Sequence, residues 1–209
     1  MLTIHTLVVG ELQTNCYFIT DAASHTTLIV DPADAPEYIS DVLIREALTP
    51  IGVAATHGHF DHLLGAFGLQ VTYNIPFYIH ADDTFLLNRM QASGKHFLKR
   101  QNIDPAPVMT QKLTDGHALR IGKESIRILH TPGHTPGSVA FIVPSAQAAL
   151  VGDALFADGS VGRTDASYAS APALRDSIER IVRCPDVRTL YPGHGNPLSV
   201  DRAAAMFGV

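Results

Sequence analysis

Short apolar runs rich in β-branched residues occupy the first part of the chain, and turn-forming residues separate them. This pattern predicts strands at residues 3–9, 16–20 and 26–30. Apolar positions at helical spacing then predict a helix over 35–48, and the continuous apolar run 51–55 is typical of a buried strand. The beginning of the chain therefore indicates a mixed α/β architecture.

The rest of the chain alternates in the same way. Helical spacing begins at Phe60 and recurs over 82–99 and 171–182, whereas 101–111 has little pattern and predicts a loop. The remaining apolar runs predict strands at residues 76–80, 118–121, 125–130, 138–143, 148–151 and 187–191. No low-complexity linker divides the chain, so we expect one domain over residues 1–209.

Composition narrows the classes of protein to consider. Hydrophobic residues make up 46% of the chain, enough for a substantial core, and the net charge of −5 disfavours a nucleic-acid surface. No apolar run approaches the ~20 residues of a membrane span, and we find no leader segment. Cys16 and Cys184 lack zinc-motif spacing and are expected to be reduced. We therefore expect a cytoplasmic protein without nucleic-acid or membrane partners.

The segment that follows the predicted strand 51–55 carries the clearest chemistry. Residues 56–62 read Thr-His-Gly-His-Phe-Asp-His, which places three imidazoles and one carboxylate in one short turn. Crowded imidazoles repel one another when protonated but bind a divalent cation well when neutral. One carboxylate among three imidazoles suits zinc, iron or manganese, so the segment predicts a metal site.

Four later segments also place His or Asp in a glycine-rich turn. They are the octapeptide His-Thr-Pro-Gly-His-Thr-Pro-Gly at 130–137, Gly-Asp-Ala-Leu-Phe at 152–156, Gly-Arg-Thr-Asp at 162–165 and Pro-Gly-His-Gly at 192–195. Loops at strand ends commonly carry catalytic groups, and glycine lets the backbone approach a site closely. The five segments are therefore candidates for one shared site.

This ordered set resembles the metallo-β-lactamase superfamily over nearly the whole chain. The residues within its motifs are most similar to those of glyoxalase II and its short bacterial relatives. The resemblance implies an α/β fold, a four-layer αβ/βα sandwich with its site along one edge. It also implies two divalent ions, zinc first, with iron or manganese as alternatives. The implied ligands are His57, His59 and His134 at a first metal, Asp61, His62 and His194 at a second, and Asp153 bridging both.

The implied activity is hydrolysis of an acyl thioester by a hydroxide that bridges the two metals. Asp61 and Asp153 would act as the catalytic carboxylates that orient this hydroxide. A thiolate leaves easily because thiol pKa values lie near ~8.5. The substrate is expected to be a small acyl thioester, with glutathione as one carrier. Full-length glyoxalase II has a C-terminal helical region that supplies much of its glutathione site. Only fifteen residues follow His194 in this sequence, so we expect the short form without that region.

Three other functions are alternatives for a chain with these motifs. The β-lactamases of the superfamily usually carry cysteine where this chain has Asp153, so β-lactam hydrolysis is not expected. A mononuclear iron persulfide dioxygenase shares the histidine and aspartate positions. The residues Ser160 and Val161 in the segment 159–162, together with an intact His194, favour hydrolysis. A metal-binding module without turnover is the third alternative, and the complete ligand set disfavours it.

Two groups of cations are candidates for substrate binding. Arg163 either pairs with Asp165 as a structural brace or binds a substrate carboxylate. Lys95, Lys99 and Arg100 precede the predicted loop and form either a solvated helix face or a lid edge that binds an anionic substrate tail.

Overall fold

Two six-stranded sheets, one from each half of the chain, form the framework of the protein; the structure is a computed structural model that describes residues 1–209. In each sheet, strands that are consecutive in sequence are neighbours. The first sheet contains β1 (Leu2–Val9), β2 (Thr14–Asp21), β3 (Thr26–Val30), β4 (Thr49–Ala54), β5 (Phe77–His80) and β6 (Gln111–Leu113). The second contains β7 (Ala118–Ile121), β8 (Glu124–His130), β9 (Val139–Val143), β10 (Ala148–Gly152), β11 (Thr189–Pro192) and β12 (Leu198–Ser199).

Strand direction decides which loops meet. Strands β3, β4 and β5 are parallel to one another. In the second sheet β8 and β10 are both antiparallel to β9, and β11 is parallel to β10, so these three strands share one direction. Loops that follow strands of the same direction leave the sheet at the same edge. The loops after β4, β8, β10 and β11 are the segments that the sequence singled out.

Helices cover the outer face of each sheet. They are α1 (Pro36–Arg45), α2 (Ala66–Tyr73), α3 (Thr84–Leu87), α4 (Met90–Leu98), α5 (Ala171–Val182) and α6 (Val200–Phe207). Side chains of α1 and α2 share a buried cluster with the first sheet, and side chains of α5 and α6 share another with the second. A third cluster lies between the sheets.

Alternation along the central strands builds these layers. On β2, Phe18 belongs to the cluster with α1, whereas Tyr17 and Ile19 belong to the cluster between the sheets. Successive side chains of a strand point to opposite faces, so a strand buried on both faces reads as a continuous apolar run. The predicted α/β class and the four-layer αβ/βα sandwich are confirmed.

The structure corrects several predicted elements. The helix predicted over 82–99 is divided into a 3₁₀ turn at Ala81–Asp83, α3 and α4, with a break at Asn88 and Arg89. The helix predicted from Phe60 begins only at Ala66, after a 3₁₀ turn at 60–62, so no α-helix N-terminus supports Asp61. Strands β6 and β12 and helix α6 were not predicted. None of the six helices is both long and apolar enough to traverse a lipid bilayer.

Candidate metal centre

The loop after β4 brings its histidines and its aspartate to one side. His57 Nε2 lies 3.1 Å from His59 Nδ1, because the two residues alternate along an extended turn. The 3₁₀ turn at 60–62 then brings Asp61 beside His62, with Asp61 Oδ2 3.8 Å from His62 Nε2. One short segment therefore presents four donor groups to the same space.

Three loops of the second sheet complete the cluster. His134 Nε2, after β8, lies 2.9 Å from His59 Nδ1. His194 Nε2, after β11, lies 3.3 Å from Asp61 Oδ2. Asp153, after β10, lies between these groups, with Oδ1 3.5 Å from His62 Nε2 and Oδ2 3.7 Å from His134 Nε2. All seven residues predicted as metal ligands therefore lie together, and their roles as ligands stay predictions.

In each histidine of the cluster, the ring nitrogen that faces away from the other donors lies beside a polar group outside the cluster. Backbone carbonyls accept from two of them, at 2.9 Å for His134 Nδ1 to Arg163 and 3.1 Å for His194 Nδ1 to Leu12. Asp31 accepts from His62 Nδ1 at 3.0 Å. Hydroxyl oxygens lie near the other two, Thr56 beside His57 Nδ1 and Tyr168 beside His59 Nε2. An acceptor on one nitrogen places the proton there and leaves the lone pair of the other free to bind a metal.

The donor set fits divalent cations. His62 Nε2 and Asp153 Oδ1 are buried and have no hydrogen-bond partner, which is costly unless another group satisfies them. A cation ~2.1 Å from each ligand separates adjacent ligand atoms by about 3.0–3.4 Å in octahedral or tetrahedral geometry. The nitrogens of His57, His59 and His134 lie close to that spacing. Borderline metals accept this mixture of imidazole and carboxylate.

Electrostatics divides the cluster into two parts. Burial, followed by the other imidazoles, holds the pKa of His57 well below its ordinary value, and burial and His134 lower that of His59 to about 4. Burial also opposes the charged form of His62, but three carboxylates outweigh it and raise the pKa of His62 well above 6.5. His57 and His59 are therefore neutral at pH 7, whereas the carboxylates around His62 attract positive charge.

Two buried carboxylates that the sequence analysis missed hold the loops. Asp31, directly after β3, accepts from Thr56 N and Thr56 Oγ1 at 2.7 Å each as well as from His62. Asp83 accepts from Gly58 N, Thr135 Oγ1 and Gly137 N, each at 2.7 Å. Asp83 thus ties the first histidine loop to the loop that carries His134. Asp31 directly follows the apolar run of β3, which was the available signal for it, whereas Asp83 ends the 3₁₀ turn after β5 and has no such signal.

One glycine of the last loop is required by close approach. A Cβ at Gly193 would collide with Asp153 Oδ1 and with the His62 ring. Gly193 therefore lets the loop with His194 close over the carboxylate between the two groups.

A cavity of about 580 Å³ opens beside the centre. Its walls include Phe60, Phe97, Phe156, Tyr168 and two cations, Arg89 and Arg163, of which the sequence analysis named only Arg163. Arg163 pairs with Asp165 through two hydrogen bonds of 2.7 and 2.8 Å, both side chains being exposed. The ion pair predicted for Arg163 is therefore present, and its carbonyl also holds His134.

The predicted substrate-binding lysines lie elsewhere. Ser93 and Phe97 of α4 line the cavity, together with Arg89, which stands directly before this helix in the same four-residue spacing. Lys95 is two residues from this stripe, about 200° around the helix, and neither it nor Lys99 lines the cavity. Arg100 instead pairs with Glu11 and Asp34, both at 2.7 Å.

Curated relatives match the chain over most of its length. The probable metallo-hydrolase YqgX of Bacillus subtilis is 32% identical over 188 residues, covering 90% of this chain and 87% of its own. The hydroxyacylglutathione hydrolase GloC of Haemophilus influenzae is 29% identical over 197 residues, covering 93% and 92%.

Solved structures match as well. The BLEG-1 B3 metallo-beta-lactamase superimposes with a TM-score of 0.88 at 31% identity and covers 97% of both chains. TTHA1623 in a di-iron-bound form gives 0.84 at 30% identity, covering 97% of this chain and 98% of its own. ETHE1 from Myxococcus xanthus gives 0.79 at 23% identity, covering 98% and 83%, and shares the fold. Residues 9–194 match the metallo-beta-lactamase superfamily, and the chain belongs to that family.

Proposed function

We propose that this protein is a metal-dependent hydrolase that cleaves small acyl thioesters. The observation that carries the proposal is the complete set of donors for two cations, with a carboxylate between them, at the floor of a cavity of about 580 Å³. The similarity to a hydroxyacylglutathione hydrolase supports a thioester substrate. Both halves of the donor set adjoin the cavity, so a substrate there can reach either.

His57, His59 and His134 would hold one cation, Asp61, His62 and His194 the other, and Asp153 both. Zinc is the first candidate, and the similarity to a di-iron protein makes iron the second, with manganese as a further candidate. Two such cations supply Lewis acidity, which lowers the pKa of a water molecule and polarises a carbonyl group.

The side chains of the protein would orient the reaction. Asp61 and Asp153 are the acceptors in the cluster that can hold a proton of the attacking water and fix its direction. Phe60 and Phe97 stack with ring centroids 5.6 Å apart and give the cavity an apolar wall. A thiolate leaving group needs little protonation, so no dedicated general acid is required.

Two alternative activities make different use of the same site. A mononuclear iron persulfide dioxygenase would not require the second group, yet the ligand atoms of Asp61, His62 and His194 also lie within 4.8 Å of one another. β-Lactam hydrolysis, which the sequence disfavours through Asp153, is the second candidate because the BLEG-1 enzyme is 31% identical.

The deciding experiment is metal analysis of the purified protein with three parallel assays. We expect two divalent ions per chain and turnover of S-lactoylglutathione or a simple acetyl thioester. His59→Ala should abolish that turnover, and Asp41→Asn, on the exposed side of α1, should retain it. One iron with oxygen uptake on glutathione persulfide, or turnover of a β-lactam alone, would refute the proposal.

A further inference from the structure

The cavity beside the metal centre holds one cation that has no acidic partner. Two guanidinium groups line the cavity, those of Arg89 and Arg163. Asp165 already neutralises Arg163 in a two-bond pair. Arg89 makes no ion pair with any carboxylate of the protein; its Cζ lies 5.6 Å from the centre of the Phe85 ring. Its charge is therefore free for a ligand.

Two aromatic rings in contact with each other lie between Arg89 and the metal centre. The Phe85 ring meets the edge of Tyr168 with centroids 5.3 Å apart, and the Tyr168 hydroxyl lies 2.9 Å from His59 Nε2. Arg89 therefore lies on the side of the cavity that His59 and His134 form.

The backbone of Arg89 is well anchored. It stands at the break between α3 and α4, and its amide donates to Leu86 O at 3.0 Å. Leu86, Leu87 and Met90 around it are buried. An anchor residue mounted on a fixed backbone loses less entropy when its ligand binds.

We propose that Arg89 is a specificity-determining residue that binds a carboxylate of the substrate, so that the preferred substrates are thioesters bearing a carboxylate on one half. This inference rests on the proposed thioesterase function. A planar guanidinium matches the two oxygens of a carboxylate and binds it with two parallel hydrogen bonds. The Arg89 side chain is exposed, and Phe85 and Tyr168 beside it are half-buried, so a ligand can reach the guanidinium. The chain as a whole carries a charge of −5, and a local cation at the cavity favours an anion there.

The test compares three thioesters with Arg89→Met. S-acetyl-N-acetylcysteamine is neutral, S-acetyl-3-mercaptopropionate carries a carboxylate on the thiol half, and S-glutaryl-N-acetylcysteamine carries one on the acyl half. We expect KM to rise about tenfold for one carboxylate substrate, with kcat little changed and the neutral substrate unaffected. The substrate that loses affinity identifies the half that Arg89 binds. Arg89→Lys, which keeps the charge without the planar fork, should lose about threefold.

Arg45→Met is the matched control, because Arg45 is exposed and pairs only with its neighbour Glu46. Equal losses on all three substrates, or no loss on any, would overturn the inference. If the wild-type protein cleaves no thioester, the proposed function fails, and binding of the non-cleavable thioether counterparts by calorimetry still decides the inference. Tighter binding of a carboxylate thioether by wild type than by Arg89→Met supports it, and equal binding refutes it.

Discussion

Asp31→Asn isolates the contribution of one buried carboxylate to the metal centre. The residue is fully buried and adopts a left-handed backbone conformation with φ of 53°. Asparagine enters this conformation nearly as readily as aspartate, so the exchange changes hydrogen bonding with little backbone strain. Alanine would confound the two effects.

The expected magnitude follows from the three hydrogen bonds of Asp31. An asparagine oxygen can still accept from Thr56 N, but its amide group then faces both Thr56 Oγ1 and His62 Nδ1, neither of which can donate to it. Losing each buried hydrogen bond to a charged group costs about 1.5–3 kcal/mol. To accept from the new amide, His62 must shift its proton to Nε2, the nitrogen that faces Asp153. Changing such a supporting partner lowers metal affinity about 10–100-fold.

The assay separates these two effects. Denaturant unfolding of the metal-free variant measures the lost stability, and titration against a chromophoric chelator measures affinity at each site. Asp41→Asn, an exposed aspartate on α1, is the matched control and should behave as wild type. The reasoning is refuted if Asp31→Asn binds two cations with wild-type affinity.

Three further predictions follow from the same contacts. Asp83→Asn should weaken retention of one cation about 10–100-fold, because Asp83 ties the His57 and His134 loops together; native mass spectrometry would report two retained ions if this is wrong. Arg163→Ala should leave the melting temperature within a few degrees and metal content intact, since its ion pair is exposed and its carbonyl remains; loss of metal contradicts this. The metal-free protein should be most stable near pH 6.5. Because the pKa of His62 is raised in the folded protein, its protonation stabilises the fold below pH 6.5, and this contribution is lost as the pH rises. Because the pKa of His59 is lowered to about 4, the free energy of unfolding decreases as the pH falls from 6.5 toward 4. A free energy of unfolding that changes in one direction only between pH 4 and 9 would contradict this prediction.

The sequence predicted the central part of the fold well because its strands are buried on both faces. Continuous apolar runs such as 51–55 and 148–151 leave little choice of structure, and both became central strands. Helix α5, with a proline in its first turn and the Ser170 cap, begins and ends as predicted. The short edge strands β6 and β12 carry too few buried positions to produce a pattern.

The residues of the candidate site were likewise predicted only in part. The spacing of residues 56–62 predicted a metal site, and the resemblance to the superfamily supplied His134, Asp153 and His194 as the further ligands. The shared edge of the two sheets brings all seven together. Asp31 and Asp83 were missed because a buried acid has no distinctive pattern, and their partners lie 25 to 54 residues away. Arg89 was missed because helical spacing in a continuous segment does not reveal the break before α4, where Arg89 stands. Lys95 and Lys99 were selected because they form a basic group just before the predicted loop, and neither lines the cavity.

The division of the donors between the two sheets affects how the protein acquires its cations. Four donors follow β4, and the other three follow β8, β10 and β11, with His194 last. During synthesis on the ribosome, the nascent chain cannot assemble this set until β11 has been made and has docked against the N-terminal half. Uptake of both ions is thus a late event that only a finished, correctly docked molecule can complete. The identity of the occupants then reflects which metals the cell offers at that moment as much as the preferences of the ligands themselves.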